Sequence, residues 1–346
     1  MELIIKPTEL CNFKCTFCSS TKLVEDKAST LELQRVFDFL KRFPNTNSII
    51  VNGGDPLMMK PSYYFQILDY IEQNNLPTNL GLTTNLWAFY KKPEIWTELF
   101  KHKRVGVTTS FQYGLGRLIT NGRVYTEKDF WKVSDLFLEK VGYRPGFIAV
   151  ISEENEQHAI KHVELAKKMD VQCKLNYAMA SGEQSTPYQL SKIYEKYVEI
   201  YEKGLWPWEF NTKQMMTRLN NISNICPQAR DCDSHIRALN PEGDYYSCGA
   251  MGDDKEYPIN FVKEVKEGGF ITPLQDSVEL FSLKEECVGC PMFNICNGCK
   301  KTIKDLKKHN MVEQHCSHMK QLQPRISKIN TEIDYVEASQ NIIRKH

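Results

Sequence analysis

The sequence predicts an α/β fold followed by a small cysteine-rich unit and a closing helix, on three observations. Short apolar runs rich in β-branched residues alternate with helix-length amphipathic segments up to about residue 200. Eight of the twelve cysteines crowd between Cys226 and Cys316, and isoleucines recur at helical spacing near the end. The strand candidates, in order, are Leu3 to Lys6, Ser48 to Asn52, Asn79 to Thr84, Arg104 to Phe111, Gly146 to Ile151 and Val171 to Tyr177. Helix candidates lie between them, at Leu31 to Arg42, Tyr63 to Asn74, Thr126 to Glu139 and Glu156 to Met169. Six βα units are too few to close an eight-stranded barrel. Right-handed crossovers still place every strand's carboxy end on one rim, where Cys11 follows the first strand and Gly53 the second.

A helix from Tyr188 to about Lys203 leads into GLWPWEF, where Pro207 and two tryptophans mark a packed connection. Beyond it the periodicity weakens and turn residues multiply, so metal holds this region more than an apolar core does. The expected organisation is a barrel-like domain over 1–205, a connection over 206–225, a cysteine-rich domain over 226–320 and a helix over 321–346. Ile326, Ile329, Ile333, Val336 and Ile342 supply the apolar face of that helix.

Lys plus Arg total 44 against 43 Asp plus Glu, so no basic or acidic excess points to nucleic acid or a membrane surface. The part from Lys300 onward is locally basic, with ten Lys or Arg against five acids, and reads as a solvated helical face or as a dock for an acidic electron donor. No segment approaches the roughly 18 consecutive apolar residues of a membrane span. The chain reaches Cys11 with no cationic and apolar leader before it, so its cysteines are expected to serve metal sites in a reducing, cytoplasmic compartment.

In the stretch CNFKCTFC, Cys11, Cys15 and Cys18 stand at C-x3-C-x2-C spacing. A 4Fe-4S cluster that only carries electrons takes four thiolates, so three leave one iron open to a ligand. With the aromatic Phe17 before the last cysteine, the motif resembles the signature of the radical S-adenosylmethionine (radical SAM) superfamily. The resemblance implies a partial (β/α)6 barrel, a 4Fe-4S cluster on the three cysteines, and S-adenosylmethionine held on the open iron. It also implies reductive cleavage of that cofactor to a 5'-deoxyadenosyl radical, which abstracts hydrogen from an unactivated carbon.

The same resemblance nominates the residues around S-adenosylmethionine. NGGDP, containing Gly53, Gly54, Asp55 and Pro56, is similar to the family's GGEP motif, with Asp in place of Glu. Glycines there let the backbone approach a ligand, and the proline stiffens the turn. In TTSFQYG, Ser110 and Gln112 stand where relatives carry an S-x-D-G pattern, and Gln112 keeps hydrogen-bonding capacity without charge. Asn155, ending AVISEEN, matches a further family pattern. Thr83 and Asn85 end the third strand, facing the ligand or simply capping the strand.

The second set opens with Cys232, ten residues, Gly243, four residues and Cys248, which resembles the start of a SPASM domain. Cys287, Cys290, Cys296, Cys299 and Cys316 follow, with Cys226 upstream, and eight thiolates match two auxiliary 4Fe-4S clusters. By the logic of two-cluster ferredoxins, a short run wraps one cluster and lends its last cysteine to the other. Cys287, Cys290, Cys296 and Cys316 then form one set, and Cys226, Cys232, Cys248 and Cys299 the other, as the resemblance also implies. The spacer before Cys299 is one residue shorter than the usual pattern. Zinc is the alternative, but its knuckles place a dozen or more residues between cysteine pairs, against five here between Cys290 and Cys296. His315 and His318 flank Cys316 as candidate donors to a sulfur.

Auxiliary clusters offer an exit for the electron left after hydrogen abstraction, which favours an oxidative outcome, and the resemblance to SPASM enzymes implies an oxidoreductase acting on a peptide or protein side chain, such as peptide crosslinking or related maturation. The alternatives are a dehydrogenase or epimerase on a small molecule or peptide, with Cys173 as candidate hydrogen donor or as plain core. The resemblance makes formylglycine formation the less favoured outcome, since sulfatase-maturing relatives carry Asp where Gly249 follows Cys248 here. A non-catalytic zinc or redox-sensing module is the remote reading. The implied partners are a flavodoxin- or ferredoxin-type electron donor and, for a peptide substrate, either a separate leader-recognition protein or direct capture in the barrel.

Overall fold

The computed structural model describes residues 1–19, 22–23, 29–180, 184, 187–219, 236–259, 289–296 and 299–329. In chain order the strands are β1 (Glu2–Ile5), β2 (Leu10–Cys11), β3 (Lys22–Leu23), β4 (Ser48–Val51), β5 (Asn79–Thr83), β6 (Val105–Ser110), β7 (Phe147–Ile151), β8 (Cys173–Tyr177), β9 (Ile236–Leu239) and β10 (Tyr245–Tyr246). The α-helices are α1 (Leu33–Arg42), α2 (Pro61–Gln73), α3 (Trp87–Lys91), α4 (Pro93–Lys101), α5 (Glu127–Val141), α6 (Ala159–Met169), α7 (Leu190–Glu202), α8 (Phe210–Leu219), α9 (Gly249–Asp254), α10 (Phe293–Cys296), α11 (Lys300–Lys308) and α12 (Val312–Ile326).

Eight strands form one sheet in the order β10-β9-β1-β4-β5-β6-β7-β8, parallel except where β10 meets β9. All six expected strands are present, and each βα crossover returns the chain to the same end of the sheet. Side chains alternate along them: Leu3, Ile5, Ile49, Val51, Leu80 and Leu82 are buried in the core that also holds Val36 and Phe39 of α1 and Ile67 and Leu68 of α2. The helices begin and end where local chemistry requires. Thr126 caps α5 by accepting from the Asp129 amide while the Asp129 side chain returns the bond, and Gly142, at φ 104°, closes it.

Two strands of this sheet were not expected, nor was the separate pair of β2 with β3. β9 pairs in parallel with β1 from Glu2–Ile236 to Ile5–Leu239, and β10 turns back on it. All four residues of β9 are buried, and a strand covered on both faces shows no alternation to betray it. Residues inside the segment 226–320 therefore extend the barrel's own sheet. Helix α12 begins at Val312, ahead of the expected 321, and packs Met319, Leu322 and Ile326 into the core beside α7. The rest of the expected closing helix, with Ile333, Val336 and Ile342, lies outside the described residues, as do Cys226, Cys232 and Cys287. Among the described residues no helix is long and apolar enough to cross a membrane.

Candidate active site

The cysteine loop is clamped between two backbone segments. On one side the NGGDP turn runs along its entry, with the Gly54 amide donating to Thr8 O at 3.0 Å and the Asp55 amide to Leu10 O at 2.7 Å. On the other, residues 116–120 form a strap: Lys14 N donates to Leu118 O at 2.7 Å and Thr16 N to Gly116 O at 2.9 Å. Glycine is required at both clamps. A Cβ on Gly54 would stand 2.0 Å from Leu10 O, and one on Gly116 would meet Thr16 Oγ1 at 2.6 Å and the Phe17 ring at 3.3 Å. Gly53, at φ 108°, turns the chain away from β4.

Asp55 does not point toward a ligand space. Its buried carboxylate accepts from Leu57 N at 2.9 Å, from Thr84 Oγ1 at 2.9 and 3.0 Å, and from Asn85 N at 2.8 Å. The shorter acid ties the turn to the end of β5 through protein donors. Burial pushes the Asp55 carboxyl up to about 6 against the lowering effect of those donors. Pro56 opens the short 3-10 turn that Asp55 caps, and its carbonyl accepts from Tyr64 Oη at 2.6 Å. Asn155 is likewise engaged inside the protein, accepting from Ser152 N and donating to Val150 O and Tyr113 O. It shapes the exit of β7.

Asn85 unites the two roles left open for it. Its carbonyl accepts from Trp87 N at 2.8 Å, capping α3, while its amide donates to Asn12 Oδ1 at 2.7 Å and lies 3.8 Å from Cys11 Sγ. Phe13 N also donates to Cys11 Sγ, at 3.3 Å. Burial pushes the Cys11 and Cys15 thiols up. Metal coordination reverses that preference by taking the thiolate, and the donors on Cys11 suit a sulfur carrying negative charge.

Arg117 is the residue that sequence reasoning missed. It is 5 % exposed, donates to Ser110 Oγ at 3.2 Å and Gln112 Oε1 at 3.4 Å, and lies over the Phe17 ring at 5.3 Å. Its Nε is buried with no hydrogen-bond partner, and no carboxylate stands within ion-pair distance among the described residues. One cation thus gathers Ser110, Gln112 and Phe17, three residues nominated separately. A lone Arg in the turn-rich stretch YGLGRLITNG carries no periodic signal, so only its burial reveals it.

Residues 5–166 match the family model of the Radical SAM superfamily. This segment, less than half of the chain, is similar to the radical SAM superfamily and holds Cys11, Cys15, Cys18 and the NGGDP turn. Two curated relatives are GTP 3',8-cyclases, from Pasteurella multocida (30% identical over 95 residues, 26% of this chain) and Haemophilus ducreyi (28% over 105 residues, 29% of this chain). The matched segments span 28% of the length of those relatives. Among solved structures, anSMEcpe with bound AdoMet superposes with a TM-score of 0.76 at 20% identity, covering 100% of this chain and 99% of that one. Streptococcus suis SuiB bound to S-adenosylmethionine gives 0.55 at 18% identity, over 86% and 72%. These likenesses establish the shared fold.

A radical SAM domain implies a 4Fe-4S cluster and S-adenosylmethionine, and the residues here fit both. The three-cysteine loop has sulfur-directed donors, a glycine-lined wall and an unpaired buried cation. Among the described residues no three metal-ligand side chains gather as ligands of a single ion; in a cube each thiolate takes its own iron.

The carboxy-end rim of the barrel is bridged by charge as well. Lys6, after β1, is paired with Asp253 on α9 and donates to Gly249 O. The neighbouring Asp254 takes Lys301 at 3.0 Å and Lys304 at 2.5 Å from α11, and Lys301 also donates to Ala180 O beyond β8. This chain of pairs links the exit of the first strand to that of the last expected one, with Tyr177 Oη and Thr302 Oγ1 2.9 Å apart beside it. Lys301 and Lys304 are buried, so the start of α11 is not a solvated face, whereas Lys308, Lys320 and Lys328 further along the segment are exposed.

Cys248 stands at the N-terminus of α9 and Cys299 at that of α11, Cys290 precedes α10 and Cys296 is its last residue, and Cys316 lies within α12. Of the two flanking histidines, His315 Nε2 is 3.3 Å from Cys296 Sγ, whereas His318 meets Ser191. Cys173 is the first residue of β8, 1 % exposed. The rim lies four residues on, about 13 Å away at strand rise. Core packing is therefore its role, and the hydrogen-donor candidacy fails.

Proposed function

We propose that this protein is a radical SAM oxidoreductase that modifies a peptide or protein side chain. The observation that carries it is the three-cysteine loop held between the Gly53–Gly54 backbone and the unpaired Arg117, a site for a cluster with one open corner and a charged ligand beside it. When bound, the cluster and S-adenosylmethionine supply a 5'-deoxyadenosyl radical that removes hydrogen from the substrate. Cys11, Cys15 and Cys18 hold the cluster; Arg117, fixed by Ser110 and Gln112, anchors the methionine carboxylate by charge-assisted hydrogen bonds. The polar backbone of the NGGDP turn takes the amino group. Phe17, packed under Arg117, excludes water from that pair.

Eight further cysteines are proposed to hold two auxiliary clusters that carry the electron away. The ion pairs join the end of α9, the helix that Cys248 precedes, to α11, the helix that Cys299 precedes, and this favours one set of these two with Cys226 and Cys232. The contact of Cys296 with His315, next to Cys316, supports the set of Cys287, Cys290, Cys296 and Cys316. Structures of the same fold are described with peptides, anSMEcpe with bound AdoMet and Cp18Cys peptide and SuiB with its precursor peptide SuiA, and this favours a peptide substrate. Anaerobic reconstitution tests the reading. About twelve irons per chain and release of 5'-deoxyadenosine on reduction are expected; zinc without deoxyadenosine refutes it. A nucleotide substrate, which the short matches to GTP 3',8-cyclases favour, would show as GTP consumption in the same assay.

A further inference from the structure

Resting on the proposed function, we infer that the groove beside the cysteine loop docks an acidic one-electron carrier protein and delivers its electron to the cluster through Trp87 and Asn85. In the proposed function the ligand sits beside Arg117 and the NGGDP turn, and the cysteine loop is also bordered by a second, separate opening. This groove of about 530 Å³ is lined by Asn12, the neighbour of Cys11, and by Trp87, Tyr90, Lys91, Arg123 and Lys132.

Its floor is close to the cluster ligands. Trp87 N donates to Asn85 Oδ1 at 2.8 Å, and the same side chain's Nδ2 stands 3.8 Å from Cys11 Sγ. The Phe13 ring meets Trp87 edge-on at 6.2 Å, and Trp87 stacks on Tyr90 at 5.2 Å. One side chain therefore separates the groove from a cluster sulfur. Its rim is cationic. Asp129 is already bonded to Arg123, at 2.6 and 3.1 Å, so Lys91 and Lys132 remain as excess positive charge. Lys91 lies over both aromatic rings, 4.8 Å from Trp87 and 5.7 Å from Tyr90. Exposed lysines around an aromatic floor suit a brief encounter with an acidic partner, in which charge sets the arrival rate and the contact stays small. In the step itself the reduced carrier loses one electron and the cluster gains it; no bond or proton moves.

The test uses the full chain with its clusters reconstituted and follows bleaching of cluster absorbance, not turnover. Reduced flavodoxin of net negative charge is the probe, with dithionite as a reductant that needs no docking. In Lys91→Glu/Lys132→Glu, bleaching by flavodoxin is expected to slow about ten-fold or more and to reverse its dependence on salt, while bleaching by dithionite keeps the wild-type rate. The milder Lys91→Gln/Lys132→Gln falls between. Equal flavodoxin rates in all three proteins overturn this inference alone. A wild-type chain that takes up no cluster overturns the proposed function and the docking with it.

Discussion

Replacing Arg117 by methionine separates a residue that holds the fold from one that holds a ligand. The guanidinium is 5 % exposed and lacks a carboxylate partner among the described residues. An unpaired buried cation costs several kcal/mol of desolvation, offset here by two hydrogen bonds to neutral oxygens and one aromatic face. A methionine of similar length keeps the packing on Phe17 and removes that cost. The apoprotein's stability should stay level or rise by about 1–3 kcal/mol, in the range seen when buried charges give way to apolar residues. Binding should move the other way. A charge-assisted hydrogen bond contributes about 1.5–3 kcal/mol, so the dissociation constant of S-adenosylmethionine should rise about 10- to 150-fold. Urea unfolding of the apoprotein and anaerobic equilibrium binding to the reconstituted chain measure the two effects. A destabilised apoprotein with unchanged S-adenosylmethionine affinity would refute the reasoning.

Asp254→Asn should cost about 3 kcal/mol, near the lower end for breaking a buried pair, because Asp305 and Glu256 still face Lys301 and Lys304; thermal unfolding measures it, and Lys308→Gln, on an exposed position of α11, serves as the neutral control. His162 predicts a pH effect. Its Nε2 accepts from Tyr113 N at 2.9 Å, Nδ1 donates to His158 O at 2.7 Å, and burial pushes its pKa down to about 3. The unfolded chain takes up a proton below about pH 6.5 that the folded chain refuses, so this residue's contribution is present at neutral pH and is lost as pH falls. Between pH 7 and 5 the wild type should lose about 2 kcal/mol relative to His162→Gln in urea titrations; parallel curves would show that His162 titrates normally.

The six-strand alternation was legible because each strand is short, apolar and bounded by a helix whose face repeats with a different period. β9 was not: Ile236–Leu239 is buried throughout, and its pairing with β1 joins residues more than two hundred positions apart. The cysteine triad and the glycines of NGGDP were legible because ligand number and backbone clearance are properties of residue type and spacing. The fates of Asp55, Asn155 and Arg117 were not. A carboxylate, an amide or a guanidinium in a turn has the same local sequence whether it faces a ligand or the protein.

By itself, then, the sequence determined the chemistry available: three thiols with one corner left open, a turn narrow enough for a ligand, and eight more cysteines downstream. Tertiary structure alone decided how that chemistry is arranged. It turned Asp55 inward onto Thr84 and Asn85, brought Arg117 over Phe17, joined α9 and α11 through buried ion pairs, and placed Cys173 at the wrong end of its strand for catalysis. The physical reason is that a side chain's partner depends on which distant segments burial brings beside it. Spacing along the chain constrains only the neighbours within a turn or a strand.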